Sequence, residues 1–180
     1  RKYTVAITVT DDDGGASVTR YMTAQVENSP PVIVAATLDK TVITEGESVV
    51  LSGRFTDPGG NDTHSATVVW GDGTTSDATV DAINRTFSAQ HQFRDNPSTN
   101  PPKYSITVTL KDNSNANDTE NLEVTGNNAN PTVNAGADQS GNEGLEIVFS
   151  GSFTDFGPLD THTIVLDFGD GTTDSGTLST

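Results

Sequence analysis

Residues 104–110 read YSITVTL and alternate apolar and polar side chains along their whole length. Successive side chains of a β-strand point to opposite faces, so this alternation places Tyr, Ile, Val and Leu on one face. Residues 3–9 read YTVAITV and repeat the pattern, whereas no stretch shows apolar residues at helical spacing over three turns. About 28 Thr, with many Val and Ile, add β-branched side chains that favour strands. We predict an all-β chain.

A repeat of whole-domain length organises the sequence. SGRFTD at residues 52–57 recurs as SGSFTD at residues 150–155, and GDGTT at residues 71–75 recurs at residues 169–173. Both pairs are offset by 98 residues. A period of this length is too long for a solenoid repeat, and it suits an entire β-sandwich domain.

Proline-containing segments mark the boundaries between the repeats. ENSPP at residues 27–31 and GNNANP at residues 126–131 each lie between two predicted strands, and proline cannot donate a hydrogen bond within a central strand. We therefore assign residues 29–126 to one complete sandwich. Residues 1–28 are interpreted as the C-terminal strands of a preceding domain, and residues 127–180 as the N-terminal part of a following domain.

The complete unit is predicted to contain seven strands, most of them separated by Gly and Asp clusters. They span about residues 32–38, 47–55, 64–70, 75–81, 85–92, 103–111 and 118–125. Seven short strands in one such repeat predict an antiparallel two-sheet sandwich, with a barrel as the alternative. Trp70 is the only Trp, ends one of these strands and is expected to anchor the core.

The composition excludes several classes of function. With 9 Lys+Arg against 25 Asp+Glu the formal net charge is −16, and no Lys/Arg stripe that could follow a phosphate backbone occurs, so we expect no nucleic-acid partner. The absence of Cys excludes disulfides and thiolate metal sites. No run of about 18 apolar residues occurs, so we expect no membrane insertion.

The sequence shows no pattern typical of a catalytic site. Asp57, Asp62 and Asp72 lie on predicted loops, but each recurs 98 residues later, as a scaffold feature does and a catalytic carboxylate pair rarely does. The three His lack the spacing of a zinc site, and no Gly-x-Ser-x-Gly nucleophile elbow occurs. We expect no catalytic residues and no enzyme activity.

Two separated motifs resemble one known family. WGDGT at residues 70–74 and DFGDGT at residues 167–172 resemble the WDFGDG signature of the PKD (polycystic kidney disease) domain family. HQF at residues 91–93, followed by YSITVTLKD at residues 104–112, resembles the H-x-Y…Y-x-V-x-L-x-V-x-D ending of that family. The resemblance implies immunoglobulin-like β-sandwiches in tandem, found in extracellular and surface proteins and usually without catalytic activity.

Two loops carry a pair of carboxylates five residues apart. The loops read DPGGND at residues 57–62 and DFGPLD at residues 155–160, and Gly and Pro bend both of them. Carboxylate oxygens suit Ca²⁺ at extracellular concentrations, and the alternative is solvated surface charge. Some PKD-like domains bind calcium near a domain junction, and the resemblance therefore implies a metal site whose ligands are Asp57, Asp62, Asp112 and Asn28, with Asp155 and Asp160 as the corresponding pair in the next repeat.

Three sequons lie in predicted loops or at strand ends. They begin at Asn61, Asn84 and Asn117. With 14 Asn and many Ser and Thr, such a number arises by chance, so the sequons permit glycosylation without indicating it.

Two functions agree with these features. The favoured one is a non-catalytic structural or adhesive segment of a stalk, surface fibre or filament, located extracellularly or at the cell surface. The alternative is an accessory module of a larger secreted hydrolase that holds a polysaccharide or a fibrous protein. Modules that grip glycans present several exposed aromatic side chains, whereas aromatic residues make up only 6% of this chain. Five of them are at expected core positions, namely Trp70, Tyr104, Phe55, Phe93 and Phe153.

The expected partners are adjacent repeats of the same chain or neighbouring copies, and an extracellular glycan or protein in addition. If the chain is an excerpt, it belongs to a string of sandwiches; if it is a subunit, head-to-tail strand complementation gives an open filament. In both cases we expect Asp11, Asp12 or Asp13 of one segment to lie near the Asp155/Asp160 loop of its neighbour.

Overall fold

The computed structural model describes residues 1–178, and every helix or strand assigned in that range is a β-strand. The strands are β1 (Lys2–Ile7), β2 (Arg20–Gln25), β3 (Val32–Leu38), β4 (Val42–Thr44), β5 (Ser48–Thr56), β6 (His64–Val69), β7 (Thr75–Asp81), β8 (Thr86–Gln92), β9 (Lys103–Asp112), β10 (Asn117–Asn127), β11 (Thr132–Asn134), β12 (Ser152–Thr154), β13 (His162–Asp167) and β14 (Thr173–Leu178). The prediction of an all-β fold is confirmed.

The central sandwich is formed by β3 to β10 in the order β3-β5-β8-β7-β6-β9-β10-β4. Strand β7 joins its two layers, because residues 75–78 pair with β6 and residues 79–81 pair with β8. All pairs in this sandwich are antiparallel except β4 with β10, which are parallel. This confirms the immunoglobulin-like antiparallel sandwich, to which β4 adds one parallel pair.

All seven predicted strands are present, with ends that differ by at most two residues from the prediction. The eighth strand of the central sandwich, β4, has three residues and was not predicted. A segment of this length is too short to show a period of two, so alternation could not reveal it, although its three residues are all β-branched.

The core of the central sandwich follows the alternation in its strands. In β9 the side chains of Tyr104, Ile106, Val108 and Leu110 are buried. Trp70 is fully buried as expected, and its Nε1–H donates a hydrogen bond of 2.9 Å to Ser76 Oγ. Burying one large apolar side chain stabilises a fold by about 1.5–3 kcal/mol, so this layer of side chains holds the two sheets together.

Two-stranded pairs flank the central sandwich. β1 pairs with β2, β11 with β12, and β13 with β14. Val5 is 40% exposed and Phe149 is 61% exposed, whereas their repeat counterparts Ile106 and Leu51 are fully buried in the central sandwich. Within the described residues, the apolar faces of the flanking segments are therefore not covered as the central core is.

No helix long and apolar enough to cross a membrane occurs in the described part of the chain.

Candidate metal sites

One end of the central sandwich brings three predicted ligands together. Asp57 follows the last residue of β5, Asp62 precedes β6, and Asp112 ends β9. Because β6 pairs with β9 in the register that sets His64 opposite Asp112, the loop before β6 lies against the end of β9. One carboxylate oxygen from each of the three Asp lies within 4.8 Å of the other two. We call Asp57, Asp62 and Asp112 the loop site.

A buried histidine fixes the carboxylate of Asp57. His64 Nε2 lies 2.7 Å from Asp57 Oδ2, and both side chains are inaccessible to solvent. Asp57 Oδ1 accepts a hydrogen bond of 2.7 Å from the Gly59 N–H, and the His64 ring packs against Phe55 with centroids 4.7 Å apart. Asp57 is therefore positioned by the core rather than by solvent.

Hydrogen bonds favour the ionised form of the Asp112 carboxylate. Asn28 Nδ2–H donates to Asp112 Oδ2 at 2.6 Å, and the N–H groups of Ser114 and Ala116 donate to Oδ1 at 2.8 and 3.0 Å. The hydrogen bond from Asn28 contributes most to a lowered pKa of Asp112, and burial opposes it. Asn28, the fourth predicted ligand, therefore contacts the loop site. It connects the segment before the sandwich to that site.

Gly59 leaves room for Asp62. A Cβ at this position would overlap the Asp62 carboxylate and lie 3.1 Å from Asp57 Oδ1. The Asp62 N–H also donates to the Gly59 carbonyl oxygen at 3.2 Å, which closes the turn. Only a residue without a side chain lets the two carboxylates converge here.

The second acidic loop repeats one half of this arrangement. Asp155 Oδ2 lies 2.7 Å from His162 Nε2, and the His162 ring lies 4.7 Å from the Phe153 ring, as in the central sandwich. Asp160, the counterpart of Asp62, lies beside Glu45 and Asp95 of the central sandwich. The expected approach of Asp11, Asp12 or Asp13 to this loop in a neighbouring segment remains a prediction.

Sequence reasoning did not assign Glu45 or Asp95 to a site. The only signal was the repetition of Glu45-Gly46 as Glu143-Gly144 at the domain period. Glu45 is only 3% exposed, and its Oε1 accepts a hydrogen bond of 2.7 Å from the Ala129 N–H. Burial raises the pKa of Glu45, the hydrogen bond from Ala129 opposes the rise, and nearby carboxylates add to it.

The GDG segment forms a tight turn, as its sequence predicts. Gly71 and Gly73 have φ of 87° and 88°, in the left-handed region that favours glycine. Asp72 Oδ1 accepts hydrogen bonds from the N–H and Oγ1–H of Thr74 at 3.0 and 2.6 Å. Asp170 and Thr172 repeat both hydrogen bonds in the next repeat. The segment therefore has a structural role.

The three sequon asparagines are all exposed to solvent. Asn61 lies in the loop before β6, Asn84 lies in the turn between β7 and β8, and Asn117 begins β10. In that turn, Asn84 Nδ2–H donates to Asp81 Oδ2 at 2.8 Å. Their exposure leaves them sterically accessible, and glycosylation stays a prediction.

Comparison with known proteins assigns the fold to a family. The sequence profile of the PKD domain matches residues 28–126 and 128–180. The chain belongs to the PKD domain family. PKD domains are typically extracellular structural or binding modules and are generally not catalytic. No curated protein matches the chain.

Solved PKD domains resemble part of the chain. The PKD domain of an M14-like peptidase from Thermoplasmatales archaeon SCGC AB-540-F20 has 26% sequence identity and a TM-score of 0.47, covering 56% of this chain and 99% of that domain. The PKD1 domain of Vibrio anguillarum Epp has 19% identity and a TM-score of 0.41, covering 56% of this chain and 98% of that domain.

Proposed function

We propose that this chain is a non-catalytic, extracellular structural segment in which PKD domains in series form part of a stalk or surface fibre. The observation that carries the proposal is the connection after β10. The Ala129 N–H binds Glu45 Oε1, the Glu45 N–H donates to the Asn127 carbonyl oxygen at 3.0 Å, and Phe156 of the next repeat contacts Gly46. A linker held in this way transmits orientation from one domain to the next, which a spacer requires.

The His–Asp pairs support a scaffold rather than a catalytic role. A general base must reach a proton on a substrate, but His64 and Asp57 are inaccessible to solvent. His91 stacks on Trp70 with ring centroids 4.9 Å apart and lies 2.6 Å from Asp72 in the GDG turn. These pairs connect loops to the core.

Small-angle X-ray scattering tests the arrangement in series. A compact globule of 180 residues has a radius of gyration of about 16 Å. We expect a clearly larger value for the chain, because domains joined end to end separate their mass. A value near that of the globule would contradict the proposal.

The alternative, an accessory module of a secreted hydrolase, has one supporting feature. A groove of about 620 Å³ crosses the sheet that contains β3, β5 and β8, and hydroxyl groups of Thr37, Ser52 and Ser88 line it. The aromatic residue in its lining, Phe87, is buried and offers no stacking surface to a sugar. A glycan array separates the two functions, since uniformly weak binding supports the spacer and one strong, specific ligand supports the accessory module.

We also propose that the loop site binds Ca²⁺. Ca²⁺–oxygen distances are about 2.3–2.6 Å, so oxygens that share one ion lie at most about 5 Å apart. The three carboxylates meet this condition. Rotation of the Asn28 amide would direct its oxygen, rather than its NH₂ group, to the same space. Calcium bound here would attach the incoming segment to the end of the sandwich.

Thermal melting with Ca²⁺ and with chelator tests this site. At a tenfold excess over Kd a ligand stabilises the native state by about 1.4 kcal/mol. We expect Asp62→Asn to reduce the gain in melting temperature and Asp77→Asn, on the exposed face of β7, to retain it in full. No gain for the unaltered chain at 10 mM Ca²⁺, a concentration well above the Kd of extracellular sites at about 10⁻⁴–10⁻³ M, would refute the proposal.

A further inference from the structure

We propose that Glu45, Asp95 and Asp160 form a second divalent-cation site, at the junction between the central sandwich and the next repeat. We call these three residues the junction site. It shares no residue with the loop site, and its ligands come from both sides of the linker.

The three residues are distant in sequence and meet in the fold. Glu45 lies between β4 and β5, Asp95 follows β8, and Asp160 precedes β13. One carboxylate oxygen from each lies within 4.8 Å of the other two. A Ca²⁺ ion with bonds of about 2.4 Å bridges oxygens at this separation.

A buried carboxylate oxygen without a hydrogen-bond partner is a second, independent indication that a cation binds here. Glu45 is only 3% exposed, and its Oε2 has no hydrogen-bond partner among the described residues. A buried, unpaired carboxylate oxygen loses its hydration without compensation, and native structures rarely leave such an atom unsatisfied. A cation coordinated by Oε2 supplies the missing interaction.

The space beside Gly157 is where Oε2 and Asp160 meet. A Cβ at Gly157 would overlap Asp160 Oδ2 and lie 3.1 Å from Glu45 Oε2. Gly157 is itself buried, and the adjacent Phe156 packs against Gly46. Both oxygens, one from each repeat, therefore lie beside the Gly157 backbone.

The charge of the cluster is not balanced by protein groups. No Lys or Arg within residues 1–178 forms an ion pair with Glu45, Asp95 or Asp160. Three carboxylates at this separation repel one another, and the repulsion grows when water is excluded. Hard oxygen ligands without imidazole or thiolate favour Ca²⁺ over zinc or copper.

A bound cation would set how successive domains are oriented. Two of its ligands belong to the central sandwich and one belongs to the loop of the next repeat. Glu143 occupies the position of Glu45 one repeat later.

Isothermal titration calorimetry on the full chain, after removal of metal by chelator, counts the ions. We expect two Ca²⁺ ions on the unaltered chain, one on Glu45→Gln, one on Asp62→Asn and none on the double variant. Glu45→Gln keeps the length of the side chain and an oxygen that accepts from the Ala129 N–H. Glu146→Gln, an exposed position, serves as the matched control and should bind two ions.

Asp95→Asn provides a second variant should Glu45→Gln fail to fold. It should weaken binding at the junction at least about tenfold, because the affinity of calcium sites follows the number of charged ligands. Unchanged ion number and affinity in both variants would refute the junction site. If Glu45→Gln lowers the melting temperature equally in Ca²⁺ and in chelator, Glu45 has only a hydrogen-bonding role. This outcome would also refute the junction site.

The two calcium proposals fail separately. Loss of an ion in Asp62→Asn, with no effect of Glu45→Gln, would retain the loop site and exclude the junction site. Loss of an ion in Glu45→Gln, with no effect of Asp62→Asn, would retain the junction site and exclude the loop site.

Discussion

The imidazole Nε2 of His91 lies 2.6 Å from Asp72 Oδ2, which joins the GDG turn to the aromatic core. The His91 ring stacks on Trp70 on one side and meets the edge of Phe93 at 4.8 Å on the other. The turn that carries the family signature is thus attached to the core through one carboxylate.

Asp72→Asn should make the free energy of unfolding less dependent on pH in the acidic range. Burial raises the pKa of Asp72, but the hydrogen bonds from Thr74 and His91 outweigh it and hold the pKa below its ordinary value of 3.8. The folded state therefore favours the carboxylate, and this stability is present above about pH 4 and is lost as pH falls through the folded pKa. Because the site is partly exposed, we expect a loss of about 1 kcal/mol at pH 7.

Urea unfolding followed by Trp70 fluorescence at pH 7 and pH 3 measures the effect. The difference between Asp72→Asn and the unaltered chain should shrink at pH 3. Asp77→Asn is the control and should leave both curves unchanged. A difference that is the same at both pH values would contradict the assignment.

The two glycines of the GDG turn should differ in their tolerance of alanine. Gly73→Ala meets no atom within 4 Å, so its cost is that of a positive φ, about 1–2 kcal/mol. At Gly71 a Cβ would also lie 2.5 Å from the carbonyl oxygen of Ser105 in β9, and that backbone cannot move freely. Urea midpoints should therefore place Gly71→Ala clearly below Gly73→Ala, and equal midpoints would contradict this packing.

Tyr104→Phe should be less stable than the unaltered chain at pH 7 but not at pH 12. The Tyr104 hydroxyl donates to the Asp95 carbonyl oxygen at 2.5 Å, and losing this hydrogen bond costs about 1 kcal/mol. Burial, with the carboxylates of Asp95, Asp72 and Glu45, raises the pKa of Tyr104 from 10.0 to about 12. The fold thus favours the neutral phenol, and its contribution is complete below pH 10 and is lost as pH rises to about 12.

Unfolding of both chains from pH 7 to pH 12 checks this expectation. The two chains share every other ionisable group, so the difference in their stability isolates Tyr104. A constant difference across the range would be inconsistent with the raised pKa.

Gly59→Ala should impair the loop site, whereas Gly60→Ala should not. A Cβ at Gly59 would displace the Asp62 carboxylate, while a Cβ at Gly60 meets no atom within 4 Å. We expect Gly59→Ala to weaken Ca²⁺ binding at least about tenfold, because one charged ligand leaves the site. Calorimetric titration with Ca²⁺ compares the affinities of the two variants. Equal affinities would argue against Asp62 as a ligand.

Most of the fold was predictable because the strands of the central sandwich alternate strictly. The family resemblance named Asp57, Asp62 and Asp112 together. The three residues meet in the structure because the register of β6 with β9 places the end of β9 beside the loop before β6. Strand β4 shows no such alternation, since three residues are too few to show a period. Glu45, Asp95 and Asp160 are separated by 50 and 65 residues, and only the path of the linker brings them together.

The parallel pairing of β4 with β10 determines how the domain would bear tension. β10 is the last strand of the central sandwich and leads directly into the next repeat. A force along β10 would load the pairs Val42–Thr125, Ile43–Gly126 and Thr44–Asn127 in shear, all at the same time, instead of opening them one after another as in a hairpin. In a stalk of the proposed kind, this three-residue strand would therefore resist detachment of β10 from the sandwich under load.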